Sequence, residues 1–166
     1  MAYVPEIIDL KPFYIQAGFD STAHDTTSWG LVPRVNPFVL MPNPKEPYKT
    51  EWFDQDGDSE FTANMFYEAM EISVGFYIKA YSSANATAVH TLRSQVENFF
   101  SYIRNGEFKI YDSYTDFGRK SVRYAGYEEG KFKSRKDWAS ATFTVKFKIN
   151  DPVTKVKLVN GVLIEE

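Results

Sequence analysis

Alternation between apolar and polar positions predicts two long β-strands in this chain. Apolar side chains recur at every second position between residues 65 and 81, and between 139 and 149 they alternate with threonine and lysine. A period of two residues is typical of a strand with one face buried and the other in solvent. The predicted buried positions are Met70, Ile72, Val74, Phe76 and Ile78 in the first strand, and Ala141, Phe143, Val145, Phe147 and Ile149 in the second.

Shorter apolar runs, bounded by turn-forming residues, predict further strands. Asn160-Gly161 lies between two apolar runs and is a strong signal for a β-hairpin over 156–164. The other short strands are predicted at 13–16, 29–32, 38–41, 108–111 and 122–127. Together with the two long strands they indicate a mainly antiparallel β architecture.

Residues 83–105 have the periodicity of an amphipathic helix. The apolar stripe consists of Val89, Leu92, Val96, Phe99 and Ile103. Ser82, Ser83 and Asn85 are candidate N-caps, and Gly106 is a typical helix stop. One such helix in a strand-rich chain must lay its stripe on a sheet. The sequence therefore predicts an α+β fold, mainly antiparallel β with one packed helix, in a single domain over 1–166.

Five of the eight prolines lie between residues 33 and 47. Proline removes a backbone donor and disfavours helix in the preceding residue, so this segment is predicted to be an extended arm. The hairpin in 153–166 follows Pro152 and is predicted to be a second arm that pairs with a neighbouring chain. The N-terminus lacks the basic and apolar regions of a signal peptide, and no apolar run is long enough to cross a bilayer. We therefore expect the chain to stay in the cytosol where it is made.

Charge is divided unevenly along the sequence. Residues 1–80 carry 12 acidic and 5 basic side chains, a balance of −7, whereas residues 81–166 carry 10 acidic and 14 basic ones, a balance of +4. Either the charges intermix on one surface, or the molecule has an acidic and a basic face. Two such faces suit head-to-tail association. The net charge of −3 argues against nucleic acid as the main partner.

An acidic turn, Asp54-x-Asp56-Gly57-Asp58, imitates the start of a calcium-binding loop. The pattern then fails, because position 6 is Ser59 instead of glycine and position 12 is Met65 instead of glutamate. The turn is therefore interpreted as a solvated loop or as an acidic contact for another subunit. We predict no metal site.

No catalytic or cofactor-binding constellation stands out. The chain has no cysteine, its two histidines, His24 and His90, lie far apart, and no glycine-rich phosphate loop is present. We predict no enzyme activity, no catalytic residue and no cofactor.

Three interpretations of the basic segment 119–136 stay open: a flexible loop, a contact for an acidic neighbour, or a contact for phosphates of a nucleic acid. The negative net charge and the lack of a nucleic-acid-binding signature count against the third. The candidate interface residues of this segment are Arg119, Lys120, Arg123, Lys133 and Arg135, opposite Asp54, Asp56 and Asp58.

An excess of aromatic residues leaves a second function open. They make up 17% of the chain, and several tyrosines fall at predicted exposed positions, among them Tyr67, Tyr77, Tyr114 and Tyr127. Aromatic side chains that converge in a cleft would indicate a β module that binds a small molecule or carbohydrate. A flat aromatic surface would instead indicate contact with another protein copy.

The order of elements over about residues 12–152 resembles the distal tail proteins of long-tailed phages and the wider tail-tube-like group. Trp29-Gly30-Leu31 follows a short strand, and Asp56-Gly57 precedes a long alternating strand. The helix ends in Phe99-Phe100-x-x-Ile103 and leads to a Gly-x-Phe-x-Ile-Tyr-Asp strand over 106–112. Gly118-Arg119, Val122-Arg123-Tyr124-x-Gly126 and the strand from Phe143 to Pro152 complete the pattern.

This resemblance implies a β-sandwich flanked by a helix, which assembles into a ring that is commonly a hexamer. It implies a virion tail protein without catalysis, made in the host bacterial cytoplasm. Its partners would be copies of itself and other tail proteins of the tube, tape-measure or tip type. Many distal tail proteins carry a second, C-terminal domain, whereas only a hairpin follows Pro152 here. A tube or baseplate component is therefore also consistent with the pattern.

Overall fold

The computed structural model describes residues 12–34, 41–51, 53, 56–60 and 65–166. The helical elements are a 3-10 turn, Thr26–Trp29, and the helix α1, Asn85–Ile103. The strands are β1 (Phe13–Ala17), β2 (His24–Asp25), β3 (Leu31–Pro33), β4 (Lys49–Glu51), β5 (Asp58–Glu60), β6 (Met70–Tyr81), β7 (Phe108–Asp112), β8 (Phe117–Ser134), β9 (Trp138–Ile149), β10 (Val156–Val159) and β11 (Val162–Glu165). The predicted α+β class, mainly antiparallel β with one helix, is confirmed.

Seven strands form one antiparallel sheet in the order β2-β1-β7-β8-β9-β6-β3. The two long strands that alternation predicted are β6 and β9, which pair along their full lengths, from Met70 opposite Ile149 to Tyr81 opposite Trp138. The predicted start of the first strand at residue 65 is wrong, because β6 begins at Met70 and the apolar residues Met65 and Phe66 before it are exposed. β8 pairs with the other side of β9. β8 is far longer than the strand predicted at 122–127. The prediction fell short because the second half of β8 is exposed and shows no alternation of apolar and polar residues.

Helix α1 covers one face of the sheet and encloses the main core. Phe99 is fully buried, and its ring centroid lies 5.4 Å from that of Trp29 and 5.5 Å from that of Phe76 on β6. Ala88, Leu92 and Ile103 complete the buried residues of the helix. The stripe predicted from the sequence thus packs on the sheet, with Val89 and Val96 only partly buried at its border.

The helix begins differently from the prediction. Ala84 occupies the N-cap position and makes no side-chain capping bond, so the assignment of Ser82, Ser83 or Asn85 as the N-cap is wrong. The Asn85 side chain instead donates hydrogen bonds to the Ser134 hydroxyl and to the carbonyl oxygen of Arg135. Asn85 therefore fastens the start of the helix to the tip of the β8–β9 hairpin.

Much of the predicted proline-rich arm, and of the strand predicted at 38–41, lies outside the described residues. Within the described part, the backbone of Pro44 forms an isolated bridge with Tyr67. The acidic turn connects β4 to β5 in a small separate hairpin, and Gly57 adopts a φ of 89°, which glycine tolerates best.

The C-terminal hairpin β10–β11 folds onto its own chain. Val156 and Leu163 are buried against Tyr111 of β7, and the Leu163 N–H donates to Gln16 Oε1 of β1 at 2.7 Å. The hairpin therefore covers the β1–β7 end of the sheet face that is opposite α1. Its predicted pairing with a neighbouring chain stays a prediction, and the face holding Val156 and Leu163 is already occupied.

Candidate interaction surface

The second half of β8 forms an open sheet edge in the part of the chain that the structure describes. β7 pairs with β8 only as far as Val122, whereas β9 continues beside it to Ser134. A strand edge with unpaired N–H and C=O groups can accept another strand. At the opposite edge of the sheet, the described residues of β3 pair with β6 at Phe76, Tyr77 and Ile78. Within the described chain the two ends of β6 therefore form a second and different edge.

An apolar groove runs beside the β8 edge, between the hairpin β8–β9 and helix α1. Its volume is about 230 Å³, and Val89, Val96 and Phe143 form part of its wall. Tyr127 and Phe132 of β8 remain 44% and 54% exposed at its border. Because large apolar side chains beside an open strand edge are a typical protein contact, the groove and the edge form one candidate interface.

Gly130 allows β8 to approach β9 closely at this edge. A Cβ atom at this position would overlap the carbonyl oxygen and the hydroxyl of Thr142. The register of the two strands shifts between Glu129 and Phe132, and the Lys131 N–H donates to the Thr142 hydroxyl at 2.9 Å. The resulting irregularity re-aims the last residues of β8, as β-bulges do.

Two predicted interface residues, Lys133 and Arg135, lie exposed at the tip of the β8–β9 hairpin. The Arg135 N–H donates to the carbonyl oxygen of Trp138, which closes the turn, and Asn85 binds the Arg135 carbonyl. The backbone of the tip is therefore fixed while both cationic side chains remain exposed.

Arg119 and Lys120 instead have partners within their own chain. Arg119 is 4% exposed and donates from Nη1 to the Val153 carbonyl at 2.8 Å, and burial lowers its pKa. Lys120 donates to Glu165 at 3.0 Å and lies 3.6 Å from Asp151, and chiefly the hydrogen bond to Glu165 raises its pKa. These two residues tie β8 to the C-terminal segment, a role that sequence reasoning missed.

The remaining predicted interface residues are separated in the fold. Arg123 is exposed on β8, beside Tyr124 and Glu107. Asp56 is exposed in the β4–β5 turn, Asp54 lies outside the described residues, and of Asp58 only its backbone pairing with Glu51 is described. A contact between the acidic turn and the basic tip would therefore join two copies of the chain, which remains a prediction.

The histidines have ordinary surroundings. His24 Nε2 lies 2.6 Å from Asp20 Oδ2, and the Tyr102 hydroxyl donates to the same oxygen at 3.1 Å. A backbone hydrogen bond from Thr22 is the main cause that lowers the pKa of Asp20. His90 is exposed on α1. Among the described residues, no three His, Cys, Asp or Glu side chains are grouped so as to hold a metal ion, and no helix is long and apolar enough to span a bilayer.

The four tyrosines singled out for ligand binding do not share a cleft. Tyr77 lies on the sheet face opposite α1, whereas Tyr127 packs against Phe100 on the helix side, with ring centroids 5.4 Å apart. Tyr114 is exposed in the turn after β7, and Tyr67 forms an isolated backbone bridge with Pro44. This arrangement does not favour a carbohydrate platform built from these residues.

Comparison with known proteins relates this fold to a phage protein. No protein-family model matches the chain, and no curated protein matches it. Among solved structures, it is similar to SPP1 Dit (gp 19.1), described as a paradigm of the hub adsorption apparatus in phages that infect Gram-positive bacteria. The TM-score is 0.57, the sequence identity is 18%, and the match covers 89% of this chain.

The chain spans about half of the length of SPP1 Dit, with 53% of that protein covered. At this identity the likeness shows a shared fold. It confirms the coarser part of the resemblance noted in the sequence, namely a fold that occurs in a structural protein of a phage adsorption apparatus.

Proposed function

We propose that this protein is a non-enzymatic structural component of a long-tailed phage tail, of the distal tail, tube or baseplate-hub type. Its likeness to SPP1 Dit over 89% of the chain is the observation that carries the proposal. The protein would be made in the host bacterial cytoplasm and reside in the virion, in contact with other tail proteins of the tube, tape-measure or tip type.

Assembly into a head-to-tail ring, with six copies as the expected number, is the second part of the proposal. In the part of the chain that the structure describes, the open edge of β8 and the ends of β6 beyond β3 are unlike surfaces, and joining them between copies gives a heterologous contact. Phe132 and Tyr127 would be buried in that contact. The exposed charges of Arg135 and Asp56 would add complementary attraction at its border.

Light scattering coupled to size-exclusion chromatography, with negative-stain microscopy, tests the ring. We expect the wild-type protein to form a closed ring, and Phe132→Glu to shift it to monomer because a charge would be buried at the contact. Tyr114→Glu is the matched control, since Tyr114 is 60% exposed but lies away from the β8 edge.

A wild-type chain that stays monomeric at the highest soluble concentration would contradict the ring. Rings that persist unchanged in the Phe132→Glu variant would show that the β8 edge is not the contact. Circular dichroism melting of both variants establishes that each is folded.

A further inference from the structure

Among the described residues, the sheet face opposite α1 is covered at one end and exposed at the other. The hairpin β10–β11 packs on its β1–β7 end, around Tyr111. At the β8–β9–β6 end, the residues that β6 and β9 place on this face are exposed or half-buried, with Ser140 as the one buried exception. The exposed and half-buried residues are Glu71, Ser73, Gly75, Tyr77, Lys79, Tyr81, Trp138, Thr142, Thr144, Lys146 and Lys148.

This open face carries a marked excess of positive charge. Its cationic residues on the three strands and their borders are Arg34, Lys79, Arg123, Lys131, Lys133, Lys146 and Lys148. Its acidic residues, in the described chain, are Glu71 and Glu128, with Asp137 at its border near Lys79. Glu128 is paired with Lys146 at 2.6 Å. The protein as a whole is acidic, with a net charge of −3, so the positive charge is segregated onto this face.

A shallow depression of about 560 Å³ lies in the middle of the face. Arg34 borders it on the β3 side and Lys131 and Lys133 on the β8 side, while Ser140 and Thr142 form its floor. Cationic side chains around hydroxyl groups are the donor set that binds phosphate oxygens.

Two of the three aromatic rings of this face are engaged by a lysine. Lys79 Nζ lies 4.5 Å from the ring centroid of Trp138 and 4.8 Å from that of Tyr81. A single strand stacks its successive bases on a series of open rings, and Tyr77 in the depression is one ring. Protein interfaces are depleted of charge at their centre, and this face is not. The arrangement therefore favours a polyanion that is held through its backbone.

We propose that this cationic face binds duplex DNA through its phosphates, without sequence preference. The inference goes beyond the structural role and does not require a ring, since a single chain presents the same face. Lysine and arginine contacts to phosphate release counterions, so the affinity must fall steeply with salt.

Fluorescence anisotropy with a labelled random-sequence duplex, titrated between about 50 and 200 mM salt, measures this binding. We expect the double variant Arg34→Gln/Lys131→Gln to weaken binding roughly ten-fold or more, and to reduce the slope of log K against log salt by about 2. Arg93→Gln/Arg104→Gln is the control, because it removes the same charge from two exposed positions on the helix side of the sheet, one on α1 and one at its C-cap.

Three outcomes would overturn the proposal. They are no binding at about 50 mM salt, equal weakening by the two double variants, or displacement of the duplex by poly-glutamate at equal charge concentration. The last result would indicate an acidic polypeptide as the partner. Light scattering on the same samples records the assembly state, so that a failure of the ring is distinguishable from a failure of DNA binding.

Discussion

At the scale of single residues, Tyr102 connects the helix to the first strand. Its hydroxyl donates to Asp20 Oδ2 and accepts the Ala17 N–H at 3.0 Å, and its ring centroid lies 5.2 Å from that of Trp29. Burial raises the pKa of Tyr102 to about 12. Because the folded protein favours the neutral phenol, the free energy of unfolding should change with pH in the alkaline range.

The sign of that dependence follows from the two protonation states. Below pH 10 the tyrosine is neutral in both folded and unfolded chains, so its contribution is fully present there. Between pH 10 and about 12 only the unfolded chain loses the proton, so the free energy of unfolding should fall. Urea denaturation across this range should show a shallower fall for Tyr102→Phe than for the wild type. Tyr114→Phe, at an exposed site, should follow the wild type, and equal slopes for all three proteins would contradict this assignment.

At the scale of elements, the strands with a buried face were predictable and the open edge was not. Residues 139–149 and 83–105 each place an apolar stripe on the core, so their periodicity appears in the sequence. The second half of β8 runs Glu128-Glu129-Gly130-Lys131 and is exposed, so no burial constrains its pattern. The sequence predicted a contact in this basic segment, with Lys133 and Arg135 among its residues, but not the open strand edge or the apolar groove, although Phe132 within the basic run was a signal for them.

The β8–β9 hairpin should tolerate alanine at one glycine and not at the other. A Cβ at Gly130 would overlap the backbone of Thr142, whereas one at Gly126 would meet Lys146 side-chain carbons at an ordinary 3.5 Å. We expect Gly130→Ala to lower the free energy of unfolding by about 2 kcal/mol, in the range of overpacked sites. Gly126→Ala should change it little, and chemical denaturation of both variants measures the difference. An equal cost at both positions would argue against the close approach of the two strands.

At the scale of the whole molecule, charge is organised more sharply than the sequence balance indicated. The sequence divides into an acidic and a basic half, and this much was predictable from counting. Folding then buries Arg119, pairs Lys120 with the C-terminal segment, and leaves Lys133 and Arg135 exposed. Tertiary contacts decide which cationic side chains face solvent. Such contacts join residues more than thirty positions apart, as Arg119 and Val153 are, and the local sequence does not reveal them.

A charge exchange tests whether the acidic turn meets the basic tip of another copy. Arg135→Glu and Asp56→Lys should each weaken assembly, by up to about five-fold per contact, as exposed ion pairs contribute little. Mixing the two variants should restore assembly at those contacts where the exchanged charges meet. Sedimentation velocity at several concentrations measures the effect. No recovery on mixing would mean that these two segments do not face each other.

The difference between the β8 edge and the β6 edge has a consequence for any structure built by joining them. Each junction uses one edge of each kind, so every copy in a ring points the same way around the axis. Such an assembly has a direction, and its upper and lower rims are made of different residues. A single type of chain could therefore seat one kind of neighbour above and another below, as a connector between unlike parts requires.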